Sequence, residues 1–392
     1  KMARLTVPAE EAAAFAARKQ KSAPLQTAAL ELLCAVAIFL SLWPGRAAAQ
    51  EVDSAAASAI VMEAQNGTVL LSHDAETERP MASTTKIMTA LLALENGRQD
   101  ELVTASERAF GVPGTSIYLS AGETLTLHDM LYGLMLASGN DAAVAIAEHI
   151  GGTVEEFCAR MTARARELGC MHTVFLTPHG LPKEGHYTTA RDLATITREA
   201  LRSNTFREIV STTRASIPWP GREYDRILNN KNKLLTTYPG ATGVKTGYTK
   251  AAGRCLVSSA KRDGMELICV VLNCPDWFNE STRLLDEAFA EYRWFDMLAE
   301  NELVREMPVE NGGDVLLPIY PREALGGAAL RDSLPELVVE LPFEGAAIIR
   351  WSAVGEEEES AGLEDCSKPS SCCAKTAFSE SARPSSLALI LE

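Results

Sequence analysis

Apolar and polar positions recur with two different periods along this chain. The stretches AIVMEA and TVLLS, between Ala59 and Ser72, are separated by Asn66-Gly67 and read as a β-hairpin with a tight turn. Helical spacing of apolar positions then governs 84–95, 127–150, 153–168 and 189–202, with Gly- and Pro-containing loops between them. RCLVSSA and MELICVVL flank the turn Lys261-Arg262-Asp263-Gly264 and read as a second hairpin. A last helix, from about Glu280 to Leu298, would carry Leu284, Leu285, Ala288, Phe289 and Tyr292 on one face. Strands, then helices, then strands again is the order of an α+β fold, a sheet with helices on it plus a helical subdomain. It is not the regular βαβ alternation of a Rossmann sheet.

The character changes at both ends. From about 299 short strand-like pieces (DVLLPIY, ELVVELP, AAIIRW) alternate with turns and imply a small β-rich domain over 299–355. Residues 356–392 are polar and poor in large apolar side chains, the composition of a disordered tail. At the front, Arg18, Lys19 and Lys21 precede the uncharged run Leu32–Trp43, and Ala47-Ala48-Ala49 follows. Basic, apolar and small residues in that order read as a signal peptide over 1–49, and so as an exported protein. The apolar run is 12 residues long, short of the about 20 that span a bilayer. An uncleaved anchor would have to draw in Glu31 and its neighbours. The remaining 50–298 is expected to form the main folded domain.

Charge and cysteine content narrow the partners. The chain carries a net −15, and residues 1–49 contribute six basic and three acidic groups, which leaves −18 on the rest. So acidic a body, without a basic stripe, argues against nucleic acid. Of the nine cysteines, Cys34 leaves with the signal. Cys158 and Cys170 sit at a helical separation too long for a disulfide. Cys255, Cys269 and Cys274 fall in or beside apolar strands, as small buried hydrophobes do. No cysteine pair has the rhythm of a zinc site, and there is no His-Glu-x-x-His, so no metal or cofactor is expected.

The candidate chemistry begins at MASTTKIMTALLALENG, residues 81–97, which sets Ser83 three positions before Lys86. On a helix that spacing makes the two side chains neighbours, and the helix start favours a developing oxyanion. Ser258 and Lys261 repeat the spacing, but in RCLVSSA, a strand, where residues three apart face opposite ways. Two further motifs raise the Ser83 pair above a capping serine and a solvated lysine. Ser138-Gly139-Asn140 falls on a turn between apolar helical stretches, and Lys245-Thr246-Gly247 on a strand that leads into the second hairpin. Ser-x-x-Lys, Ser-x-Asn and Lys-Thr-Gly in this order are the signature of penicillin-binding proteins and serine β-lactamases.

Beyond the motifs, residues from about 55 to 298 resemble the serine D-alanyl-D-alanine carboxypeptidases, the low-molecular-mass penicillin-binding proteins. FLTPHGLPKEGHYTTARDLATI and GVKTGYTKAAGRCLVSSAKRDGMELI carry the likeness. The resemblance implies a β-lactamase/transpeptidase-like antiparallel sheet flanked by helices, with the site beside a helical subdomain. Ser83 would be the nucleophile and Lys86, neutral, its base. Its pKa must then fall from about 10.4 toward neutrality, and burial together with Lys245 can supply that. Lys245 and Thr246 would take the substrate's terminal carboxylate, with Lys231 as a secondary contact. Gly247, without a side chain, would let a peptide lie along the strand. By resemblance the backbone N–H groups of Ser83 and Tyr248 form the oxyanion hole, Ser138 relays a proton to the leaving amine, and Asn140 holds the acyl donor's amide. His179 and His186 read as structural.

The substrate so implied is the D-Ala-D-Ala terminus of peptidoglycan stem peptides, with β-lactams as inhibitors. The rivals are a serine β-lactamase, for which no dedicated deacylating carboxylate stands out, and a non-catalytic cell-wall binding protein on the same fold. Family members often end in an amphipathic membrane helix. The tail from Glu356 has none, so peripheral membrane association has no support there.

Overall fold

The computed structural model describes residues 49–303 without a break, and the segments 5–6, 305–308, 316–321, 324–333, 335–340 and 348–353. The proposed signal segment (apart from residues 5–6 and 49) and the polar tail from 356 lie outside the described residues. Two compact units divide the chain, and the larger is Ala48–Trp294.

That unit is built on a six-stranded sheet. Its strands are β1 (Gln50–Glu51), β2 (Ser58–Glu63), β3 (Val69–His73), β8 (Ala241–Thr249), β9 (Gly253–Arg262) and β10 (Met265–Leu272), counted along the chain with four short strands between β3 and β8. Their order across the sheet is β1-β3-β2-β10-β9-β8. All pairings are antiparallel except β1 with β3, which is parallel, so the sheet is mixed at one edge rather than wholly antiparallel. Strand β8 lies at the other edge and pairs on one side only.

Every residue of β2 and of β10 is buried, which requires cover on both faces of the sheet. Helices α5 (Ala190–Ala200) and α7 (Trp277–Glu291) both pack on β10 and provide it. The remaining helices of eight or more residues are α1 (Lys86–Asn96), α2 (Leu127–Met135), α3 (Asn140–Gly151), α4 (Val154–Glu167) and α6 (Asn204–Ser211). Threonine caps three helices, α2, α4 and α5. Thr126, Thr153 and Thr189 each accept the backbone N–H of an acidic residue three positions on, Asp129, Glu156 and Asp192. Each satisfies an otherwise orphaned donor and places negative charge where the helix dipole favours it. In α1 the first eight residues, from Lys86 to Ala93, are all buried. A helix apolar all round belongs inside the molecule, so Lys86 goes in with its neighbours.

Within the 127–150 stretch, α2 and α3 are separated at Ser138-Gly139, the turn expected there. The chain departs from the periodic reading in two other places. Helix α7 stops at Glu291, and Tyr292–Leu298 is extended (β11), not the end of a helix reaching Leu298. The aromatic run Tyr292, Trp294, Phe295 favours a strand over another helical turn. Helix α6 and the hairpin of β6 (Arg214–Ile217) and β7 (Arg226–Asn229) had no clear periodic signal; the other two short strands are β4 (Leu102–Thr104) and β5 (Thr124–Thr126). All five cysteines of this unit outside the signal are free and buried, as expected.

In the second unit the described residues pair as antiparallel strands, Arg305–Pro308 with Leu316–Pro321 and Pro335–Glu340 with Ile348–Ala353. Among the described residues no helix is long and apolar enough to cross a membrane.

One close approach fixes the segment that carries Ser83. A Cβ at Gly180 would lie 1.8 Å from the carbonyl oxygen of Ala82, and φ at Gly180 is +86°. Gly122 has a similar φ of +79° with nothing near its Cβ position. Gly122→Ala is expected to cost about 1–2 kcal/mol, the left-handed backbone penalty alone. Gly180→Ala is expected to cost a further ~1–3 kcal/mol from overpacking, measured by urea unfolding of both variants. Equal losses would mean that the Gly180–Ala82 contact does not hold the turn.

Candidate active site

Pro80 and Met81 lead into a single 3₁₀ turn, Ala82–Thr85, from which α1 continues at Lys86. The turn is fastened by its own threonines: Thr84 Oγ1 donates to the Met81 carbonyl and Thr85 Oγ1 to that of Ala82. Ala82, at φ +48°, sits in a left-handed conformation that a non-glycine residue adopts only under constraint. Ser83 is the second residue of this turn, so it stands one step before the regular helix, and Lys86 is the first helical residue.

The Lys86 amine is the best-defined group of the site. Its Nζ lies 3.0 Å from Ser83 Oγ, 2.8 Å from Asn140 Oδ1 and 2.7 Å from the carbonyl oxygen of His179. The Asn140 amide is oriented by its other end, where Nδ2 donates to the Pro113 carbonyl at 2.7 Å, so Oδ1 faces the lysine. Two of the three partners of Nζ are therefore pure acceptors. A neutral amine uses its two N–H bonds on Asn140 Oδ1 and His179 O, and its lone pair is left toward the Ser83 hydroxyl. Burial, first, and the Lys245 and Lys231 ammonium groups, next, push the Lys86 pKa well below its ordinary value.

Lys245 is also buried, on edge strand β8, where its Nζ donates to the carbonyl of Thr246 at 3.0 Å. Desolvation and Lys231 lower its pKa to about 7. Lys231 lines the cleft, and partial desolvation lowers its pKa as well. A cleft of about 500 Å³ brings together Ser83, Ser138, Lys231, Thr246, Gly247 and Tyr248. Residues of all three motifs, far apart in sequence, are brought together here. Ser258 and Lys261, the same spacing on β9, take no part: Ser258 is fully buried and Lys261 is exposed.

Gly247 has a reason beyond leaving room for a ligand. A Cβ there would lie 2.9 Å from the Ser83 backbone nitrogen, so the missing side chain lets the strand lie directly against the turn of Ser83. Asn140 differs from the expectation as well. Both ends of its amide are engaged within the protein, and it is 3% exposed; in this structure it holds Lys86 rather than presenting a free amide to the cleft. Ser138, at φ +65°, is a second constrained residue at the cleft.

Several contributors carry no motif. Asp141, 1% exposed, accepts the backbone N–H groups of Ile117, Leu119 and Ala142 and the Ser116 hydroxyl, which ties loop 113–119 to the start of α3. His179 acts through its carbonyl. Its ring accepts the Leu181 N–H, and burial and Lys86 depress its pKa to about 3. His186 Nδ1 accepts from the Leu176 N–H, so Nε2 carries the proton and donates to Thr85 Oγ1 at 2.9 Å. Burial lowers its pKa to about 4. Both histidines are neutral and brace the segment around Ser83 and Lys86, His186 through Thr85 and His179 through its carbonyl. Among the described residues no cluster of His, Cys, Asp and Glu is fit to hold a metal ion.

Comparison with known proteins points the same way. A D-alanyl-D-alanine carboxypeptidase family model (peptidase family S11) matches residues 45–276. The chain is 37% identical over 283 residues to D-alanyl-D-alanine carboxypeptidase DacF of Bacillus subtilis (strain 168), covering 70% of this chain and 72% of that one. It is 34% identical over 246 residues to DacB2 of Mycobacterium tuberculosis, with 61% and 84% covered. Among solved structures, that of the Streptomyces K15 DD-transpeptidase superposes with a TM-score of 0.58 at 33% identity, over 62% of this chain and 99% of the other. D-alanyl-D-alanine carboxypeptidase DacD from Francisella tularensis gives 0.63 at 25% identity, over 80% and 93%. With the family model spanning more than half of its length and the serine, the amines and the edge strand assembled in one cleft, the chain belongs to the D-alanyl-D-alanine carboxypeptidase family of serine peptidases.

Proposed function

We propose that this protein is a serine-type D-Ala-D-Ala carboxypeptidase, which removes the terminal D-alanine from peptidoglycan stem peptides through an acyl-enzyme on Ser83. The observation that carries the proposal is the Lys86 amine, held by two carbonyl acceptors with its remaining valence toward Ser83 Oγ. A serine hydroxyl is a weak nucleophile until a neighbouring base takes its proton. Ser83 Oγ attacks the carbonyl of the penultimate D-alanine while its proton passes to Lys86 Nζ. The oxyanion forms against the Ser83 and Tyr248 N–H groups. Ser138 passes the proton on from Lys86 to the departing D-alanine nitrogen, and the C–N bond breaks. Water then cleaves the ester. Lys245 and Thr246 hold the terminal carboxylate, with Lys231 adding positive potential. The unpaired edge of β8 offers backbone groups to the substrate chain, an added strand. β-Lactams acylate the same serine.

The substrate lies outside the cytoplasm, so the enzyme works in the cell envelope, and the basic-apolar-small pattern of 1–49 is its export signal on this reading. That the relatives it matches are named D-alanyl-D-alanine carboxypeptidases supports the peptidase reading over a β-lactamase. Mixing the protein with penicillin and measuring its mass should give one adduct, on the peptide containing Ser83, and a D-Ala-D-Ala peptide should release free D-alanine. Rapid penicillin turnover without D-alanine release would make it a β-lactamase, and no adduct would leave a binding protein.

Two further outcomes follow from the amines. Lys86→Met is expected to slow acylation by roughly 10²–10⁴-fold, the contribution of a positioned base, in stopped-flow assays with penicillin; an unchanged rate would remove Lys86 from the mechanism. The pH profile tests Lys245. The value of kcat/KM reports the free enzyme. It requires Lys86 neutral, which gives a limb that rises with pH, and Lys245 charged, which gives a fall above about pH 7. Capping the substrate as a C-terminal amide should abolish the fall, because no carboxylate then needs the cation. A carboxylate substrate whose kcat/KM still climbs at pH 9 would contradict this assignment.

A further inference from the structure

The cleft does not end at Tyr248. A second cavity, of about 670 Å³, continues from it and is lined by Tyr248, Gly253, Arg254, Asn273, Pro275 and Trp277. Tyr248, Arg254, Pro275 and Trp277 line both cavities. Tyr248 and Arg254 are register partners on β8 and β9, and both are exposed.

The polarity of a bound substrate follows from the two ends of β8. The terminal carboxylate belongs at Lys245 and Thr246. A chain added antiparallel to β8 therefore runs backward, from its C-terminus at Lys245 to its earlier residues at Tyr248 and beyond. Three strand positions span about 10 Å, which uses up the D-alanyl-D-alanine dipeptide. The residue that precedes it then meets the second cavity.

The chemistry of that cavity is specific. Arg254 is the charged residue among its lining groups. One guanidinium nitrogen, Nη1, donates to the Pro275 carbonyl, and no other hydrogen bond of the guanidinium lies among the described residues. The group is thus anchored at one corner and open at the rest, with donors in the fixed geometry that pairs with a carboxylate. The Trp277 indole forms an apolar wall beside it, packed at 5.0 Å between ring centres on Phe278.

We infer that this cavity is a specificity subsite for the residue before D-Ala-D-Ala, and that it selects a side chain with an aliphatic stem ending in a carboxylate. Trp277 covers the stem and Arg254 binds the carboxylate. Such a side chain is that of a diamino-dicarboxylic acid, whose end carries a carboxylate beside its ammonium; a lysine side chain brings the ammonium alone. The inference rests on the carboxypeptidase reading, which fixes the direction of the substrate.

The test compares two peptides that differ only in that residue, a diamino-dicarboxylic acid or lysine, each followed by D-Ala-D-Ala. The unaltered protein should favour the carboxylate-bearing peptide by about tenfold or more in kcat/KM, the scale of one charge-assisted hydrogen bond. Arg254→Gln should bring the ratio near one, and Arg254→Lys should restore part of it. Trp277→Ala should raise KM for both peptides. A ratio near one in the unaltered protein overturns the inference. So does a ratio that survives Arg254→Gln, or a loss in that variant equal for both peptides, which would assign the guanidinium to the shared terminal carboxylate or to the fold. Penicillin labelling of the unaltered protein keeps the two readings apart. Absence of a Ser83 adduct removes the carboxypeptidase reading itself, whereas labelling without side-chain preference removes only the subsite.

Discussion

The site is organised around one amine kept out of water, where its charged form is disfavoured. An ammonium donates only, whereas a neutral amine donates twice and accepts once. The surroundings of Lys86 suit the second species. Two carbonyl oxygens, of Asn140 and of His179, take donors, and the third neighbour is a hydroxyl that can itself donate. Desolvation disfavours the charged form, and two further lysines disfavour it again. Hydrogen bonding alone would hold a charged lysine equally well, and burial alone would not aim its lone pair. Together they disfavour the ammonium and aim the lone pair at Ser83, as the proposed base requires.

Much of the surrounding fold serves that arrangement. A lysine is buried without a carboxylate partner only where its helix has no polar side to turn outward, and α1 is such a helix. The Asn140 amide must be pinned before it can pin Lys86, and Pro113 on the adjoining loop does this. That loop is in turn gathered by the Asp141 carboxylate. The His179 carbonyl is delivered by a segment whose next residue, Gly180, has no side chain to push Ala82 away. Ala82 and Ser138, beside or within the site, are held at positive φ. Strained backbone of this kind persists only where packing over-determines it, and here hydrogen bonds converge on both segments.

What the sequence disclosed follows from how local each signal is. The helices α4 and α5 begin at threonines with acidic residues three positions on and carry clean apolar periodicity, so they were legible. The three motifs were legible for a related reason, since each joins chemistry to a turn or strand that its neighbours also specify. The edge position of β8 was not, because strand order is set by pairings across long sequence separations. Nor was the engagement of Asn140, whose partners are a lysine 54 residues away and a main-chain carbonyl. Main-chain groups such as His179 O carry no sequence signal at all; only the glycine beside it hints at a close approach. The end of α7 misled because Tyr292 continues the helical spacing while the aromatic run after Glu291 prefers an extended chain.

The three lysines also bear on one another. With a pKa of about 7, Lys245 is only partly charged near neutrality. A substrate carboxylate placed against it stabilises the ammonium and raises that pKa. Lys86 feels both charges: the restored ammonium disfavours a second cation and the carboxylate favours one, so the two oppose each other and the burial of Lys86 remains the largest cause that disfavours its charged form. On the proposed reading, carboxylate recognition at Lys245 and proton uptake at Lys86 are then one coupled titration rather than two independent ones.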